Sequence, residues 1–291
     1  MTERALLLPV LGLLLNALTW GVSWWPFRWL AAQGLHPLWA TAFVYAVAVL
    51  LISLRWPHAW GMVWRTPALW WLVLAAGTTN AAFNSAVTFG DVVRIILLFY
   101  LMPLWAVLLA RALLGERLSL LAGARVAMAL AGAAIVLWPG DGGGWPVPRS
   151  AAEWLAVLAG FAFALNNVML RRLACHPREA RSLAMFAGGV LVSLLVAASA
   201  TAAGALAAPP VPAFAWVGGA VVLAVIFLVG NLTLQYGAAR LPANVTAVVM
   251  VSEVLFASVS AVALGAGAVS GPLVVGGALI LTAALLAAWR A

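Results

Sequence analysis

The chain of 291 residues contains no lysine, one cysteine, three histidines and seven acidic residues. Each shortage excludes something. A phosphate-cradling Walker A loop needs a lysine, so nucleotide-driven work through such a loop is excluded. Cys175 has no partner for an internal disulfide, and no Cys/His metal spacing is present; His36, His58 and His176 all fall in predicted loops. Charged residues make up 8% of the chain, where a soluble globular domain carries about a quarter. No stretch is long or polar enough for a separate soluble domain. No Ser/His dyad or pair of carboxylates falls within an apolar run, which leaves little room for an intramembrane enzyme. No cofactor is called for. The basic residues, all arginine, are scattered rather than gathered in a stripe, which argues against a nucleic-acid partner.

What remains is apolar. Hydrophobic residues make up 66% of the chain, and the mean hydropathy is +1.12. The runs divide into ten spans, 5–30, 37–54, 68–89, 92–113, 119–138, 152–173, 182–206, 213–236, 242–264 and 271–289, each near the ~20 residues that cross a bilayer as a helix. The first run is too long for a cleaved signal core of about 7–15 residues and reads as a retained span. With the N-terminus in the cytoplasm, twelve arginines fall on the cytoplasmic side and three (Arg28, Arg94, Arg149) outside. Both termini are therefore expected in the cytoplasm. Most of the 16 tryptophans, among them Trp24, Trp25, Trp29 and Trp216, sit near span ends as an interfacial belt.

Two polar pairs interrupt this apolar background and repeat. Asn80 and Asn84 share one helix face in the third span, Asn231 and Gln235 one in the eighth, at the same offset (231 − 80 = 151, 235 − 84 = 151). Amides are expensive in lipid and should face a bundle interior, the usual mark of a solute path in a duplicated membrane protein. "YLMPLWAVLLARALLGERL" (100–118) aligns without a gap with "MVSEVLFASVSAVALGAGA" (250–268), placing Pro103 on Glu253 and Gly115 on Gly265. Five spans per half force the halves into the membrane in opposite directions. The expected fold is all-α and integral to the membrane: ten transmembrane helices as two inverted five-helix repeats, 1–138 and 152–291, joined by a linker at 139–151. Asn80 and Asn84 then lie toward the outside and Asn231 and Gln235 toward the cytoplasm, so each pair is expected to line one half of a path.

This layout, with Pro103, "LLGERL" ending the fourth span and the small-residue helix "GARVAMALAGAAIVL" (123–137), resembles the EamA-type branch of the drug/metabolite transporter superfamily over the whole chain. Within it the chain looks most like the YddG-type amino-acid exporters. The second half departs from the pattern, with Glu253 where a proline is expected and Gly265-Ala266 in place of Gly-Glu. The resemblance implies secondary export across a bacterial inner membrane by alternating access.

Expected substrate-binding residues follow. Glu253 is the only acidic residue deep in a span, placed to dock a substrate ammonium or a coupling proton. The amides Asn80, Asn84, Asn231 and Gln235, together with Asn166 and Asn167, are suited to hydrogen-bonding a substrate, and Trp20 and Tyr100 lie deeper than the belt. Pro103 removes a backbone bond and is the expected hinge. Asp91 and Arg94 are expected to form a surface ion pair, and Gly123, Ala127, Ala131, Gly276 and Gly277 to serve close helix packing or a dimer face. No arginine falls at a midplane, which disfavours strongly anionic solutes. The expected cargo is a small zwitterion, most simply an amino acid, including bulky and aromatic neutral ones. The competing reading is proton-coupled efflux of lipophilic cations. The expected surroundings are a lipid bilayer, with the chain as a monomer or homodimer.

Overall fold

The computed structural model describes residues 3–115, 120–138, 147–173, 175–238, 240, 249 and 252–289. All regular structure among them is helical: α1 (Glu3–Val22), α2 (Trp24–Ala32), α3 (Pro37–Arg55), α4 (Ala59–Arg65), α5 (Pro67–Phe89), α6 (Val92–Phe99), α7 (Met102–Leu114), α8 (Leu120–Leu137), α9 (Ala151–Arg172), α10 (Arg178–Ala202), α11 (Phe214–Ala238), α12 (Ser252–Ala263) and α13 (Gly271–Trp289). The protein is an all-helical membrane protein. Among the described residues six helical segments are long and apolar enough to cross a bilayer: Leu7–Ala32, Pro37–Arg55, Val92–Leu113, Ala151–Leu170, Arg178–Ala202 and Phe214–Leu234. Residues 126–136, 252–263 and 271–283 are apolar but shorter.

Helix α5 is not among the six, although it was expected as the third span. Its tryptophans, threonines and asparagines dilute its hydropathy. It is nevertheless among the most enclosed helices, with 14 of its 23 residues buried. It packs on α9, α10 and α3, so protein rather than lipid meets its polar face.

Most large contacts join one half of the chain to the other: α5 with α9 and α10, α3 with α10, α1 with α11 and α12, and α8 with α13. Several are close enough to need glycine. A Cβ at Gly132 would come within 2.6 Å of the Gly276 carbonyl oxygen, so α8 and α13 meet backbone to backbone. Gly276 therefore serves packing within the chain, Gly277 sits against Leu97, and a Cβ on Gly123 would meet nothing within 4 Å. Gly77 on α5 and Gly188 on α10 form a second such contact.

The fourth span is broken. Tyr100 and Leu101 separate α6 from α7, and Pro103 stands at the start of α7, where its missing N–H has no helical acceptor to lose. α7 ends on Gly115 in the left-handed conformation (φ 71°), and Gly265, 150 residues on, takes φ 67° in the turn after α12. Trp24 and Trp216 leave the expected belt: both are buried, with Nε1 donating to Ser260 Oγ at 3.0 Å and to the Val211 carbonyl at 3.1 Å, respectively. Trp25, Trp64, Trp71, Trp138 and Trp154 are exposed, as an anchor requires.

At one end of the bundle the expected Asp91–Arg94 ion pair gives way to other contacts. Asp91 caps α6, accepting from the Arg94 backbone N–H at 2.9 Å, and also accepts from Ala268 N at 3.4 Å. The Arg94 side chain turns to Glu153, Nε to Oε1 2.7 Å, not aligned for a hydrogen bond. An N-cap carboxylate faces back to its own first turn, which leaves the arginine free to reach α9. The pair is partly exposed, so a double-mutant cycle of Arg94→Gln and Glu153→Gln should give a coupling of at most about 1 kcal/mol, weakening with added salt.

His36 caps α3, Nδ1 accepting from Leu38 N at 3.2 Å, and burial holds its pKa below the usual 6.5. Only the neutral ring accepts that bond. The contribution is therefore present above about pH 6.5 and is lost as the pH falls through the lowered folded value. His36→Asn keeps a capping acceptor, and thermal unfolding of the variant in detergent should lose that part of the acid sensitivity.

Candidate functional site

The amides converge on one cavity. Asn16 and Trp20 lie one turn apart on α1, Asn80 and Phe83 three residues apart on α5, and Phe163 and Asn166 three apart on α9, so each helix turns one face inward. Phe99 from the end of α6, Met185 from α10, Asn231 from α11 and Glu253 from α12 complete the wall. The cavity measures about 140 Å³, close to the ~150 Å³ that admits benzene in an engineered core. A pocket of about 50 Å³ adjoins it through Trp20, Asn80, Met185 and Asn231, walled by Tyr45, Phe186 and Phe227.

Aromatic packing fixes the walls. Trp20 stacks on Phe227 with centroids 4.7 Å apart, and Phe99 meets Phe83 at 4.9 Å and Phe163 at 5.3 Å. Asn80 is held at both ends: its oxygen accepts from the Tyr45 hydroxyl, and its Nδ2 donates to the Ala76 carbonyl at 2.7 Å. Glu253 is 9% exposed and accepts a hydrogen bond from the hydroxyl of Tyr100, itself buried at the α6–α7 break. The backbone of α12 is fixed here as well, since a Cβ on Gly21 would lie 2.7 Å from the Glu253 carbonyl oxygen.

Five expected site residues, Trp20, Asn80, Asn166, Asn231 and Glu253, thus line one space. Tyr100 reaches it through Glu253. Asn80 and Asn231, expected in opposite halves of a path, share the cavity instead. Asn84 does not line it; fully buried, it donates to Thr41 Oγ1 at 3.0 Å between α5 and α3. Asn167, about 100° round α9 from Asn166, is exposed. The side chains of Gln235 and Pro103, like Glu116 and linker residues 139–146, lie outside the described residues. Sequence reading missed Asn16. Its signal was the repeat itself: "LLLNAL" (13–18) matches "FALNNV" (163–168), and 166 − 16 = 150, the offset already seen for Pro103 and Glu253. The cavity is therefore lined by two amide pairs at nearly equal sequence offsets, Asn16 with Asn166 at 150 and Asn80 with Asn231 at 151. Among the described residues no three His, Cys, Asp or Glu side chains gather to hold a metal.

Residues 7–138, the portion that supplies Asn16, Trp20, Asn80 and the broken fourth span, match the EamA-like transporter family. The match is to a transporter family, not to an enzyme. No curated protein matches the chain. A protein of known crystal structure is similar in fold, with a TM-score of 0.60 and 22% identity over 99% of this chain and 97% of its own. The EamA-like match ends at α8, and the crystal structure extends the likeness of fold through α13.

Proposed function

We propose that the chain is a secondary transporter that exports small zwitterionic solutes, above all amino acids, bulky and aromatic neutral ones included, by alternating access. It would work as ten spans in two inverted five-helix repeats, 1–138 and 152–291, with both termini in the cytoplasm of a bacterial inner membrane. The observation that carries this reading is the cavity, where repeat-related amides from both halves meet around a ring-sized space.

The packing supports the repeat. Pair α1–α2 with α9, α3 with α10, α5 with α11, α6–α7 with α12, and α8 with α13. The contact of α5 with α9 then becomes that of α11 with α1, α6 and α7 with α9 becomes α12 with α1, and α5 with α10 becomes α11 with α3. The contacts of α3 with α10 and of α8 with α13 map onto themselves. The loops support the alternation: Arg28 Nη2 donates to the Gly90 carbonyl, Asp91 meets Ala268 and Trp39 meets Ala207, as spans turning at a shared end require. A site on the axis between inverted halves suits opening first to one side and then to the other.

Flux into liposomes containing the purified protein tests the proposal, with labelled amino acids, a lipophilic cation and a nucleoside, each with and without a pH gradient. Flux of neutral amino acids is the expected result. Gradient-dependent flux of the cation alone would replace the amino-acid reading with drug efflux.

A further inference from the structure

The polar groups of the cavity are not equivalent. Asn80 has both ends of its amide engaged by Tyr45 and Ala76. Asn166 lines the same cavity, is 2% exposed, and its Oδ1 has no hydrogen-bond partner among the described residues. An unpartnered buried acceptor is costly, and a donor from water or a ligand is one way a native structure satisfies it. Glu253 offers further acceptor capacity beyond its bond from Tyr100. Among the polar groups of the cavity wall, Glu253 and the Asn166 amide oxygen thus both supply acceptor capacity.

The remaining lining points the same way. Among the described residues no arginine, lysine or histidine lines the cavity, so a substrate carboxylate would meet no cation from them there. Trp20, Phe83, Phe99 and Phe163 bring aromatic rings, which attract a cation through their faces. An ammonium beside Glu253 forms a neutral pair, whereas a zwitterion adds a carboxylate that only amide N–H groups can meet.

We infer that the cavity recognises its substrate through an ammonium group held by Glu253 and the Asn166 amide oxygen, and that arylalkyl primary amines with no carboxylate are ligands at least as good as the amino acids. This rests on the transport site proposed above and narrows its substrate class.

Titration calorimetry on the purified protein in lipid nanodiscs tests it with four probes: 2-phenylethylamine, phenylalanine, N-acetylphenylalanine and 3-phenylpropionate. The expected order is phenylethylamine equal to or tighter than phenylalanine, with the two probes lacking an ammonium at least about tenfold weaker. Asn166→Leu should weaken phenylethylamine about tenfold, the scale of one lost hydrogen bond to a charged group. The wild-type series decides the matter even if that variant does not fold. Binding of phenylalanine and N-acetylphenylalanine without phenylethylamine would overturn the ammonium assignment and leave the amino-acid transporter standing. Binding of phenylethylamine alone would uphold the assignment and remove amino acids as cargo. Binding of none of the four would overturn both.

Discussion

Replacing Glu253 with glutamine should slow transport about tenfold or more while leaving the protein folded. Glutamine has nearly the same shape and can still accept from Tyr100, so the local packing survives. What it loses is charge. Hydrogen bonds to charged groups contribute ~1.5–3 kcal/mol against ~0.5–1.5 for neutral ones, and the difference of about 1–1.5 kcal/mol is close to a factor of ten. Initial rates in proteoliposomes, with thermal unfolding in detergent as the control, separate the two effects. A wild-type rate in the variant would remove Glu253 from the site. A lower rate with an equal drop in stability would make the carboxyl structural glue between α12 and α6–α7.

Gly188→Leu should remove most of the folded protein. A Cβ at Gly188 runs into the Val73 backbone carbonyl, and one at Gly77 runs into Gly188 itself. Backbone cannot swing aside as a long side chain can, so α5 and α10 would have to separate. Overpacking a core commonly costs ~1–3 kcal/mol and more where backbone must move. This contact also anchors α5, which carries Asn80. Gly218 is the control, since a Cβ there meets nothing within 4 Å. Fluorescence-detected size exclusion should show aggregation for Gly188→Leu and a wild-type peak for Gly218→Leu. A monodisperse peak from both would mean that α5 and α10 do not approach this closely.

Much of the site was legible because its residues break a strong rule. Against so apolar a background, an asparagine or glutamate within a span is conspicuous, and Asn80, Asn166, Asn231 and Glu253 were found that way. Periodicity then gave the face of each helix but not the depth at which the cavity ends. Asn84 shares a face with Asn80 and sits one turn on, against Thr41 rather than open space. Asn16 stood alone in its span and became significant only beside Asn166. The stripe Gly123, Ala127 and Ala131 had the right spacing for a helix contact, yet the close contact falls on Gly132. In a chain this rich in alanine, many small stripes exist, and the partner helix selects among them. Trp24 and Trp216 were assigned by their place near span ends, but each ring is covered by neighbouring helices while its N–H keeps an acceptor, Ser260 for one and the Val211 carbonyl for the other.

The buried, amide-bearing α5 has a consequence for how the chain is made. Synthesis runs from the N-terminus, so α5 emerges well before α9 and α10, the helices that cover it. By itself it is less apolar than the neighbouring α3 and favours lipid less strongly. During that interval the partners of its asparagines, Tyr45, Ala76 and Thr41, are already made, but the helices that cover its other faces are not. The half-built protein must therefore shelter α5 against α3 or the insertion machinery until the later helices arrive. Truncation after α8 should leave α5 open to cysteine labelling from water at Ser85, which is buried in the full-length chain.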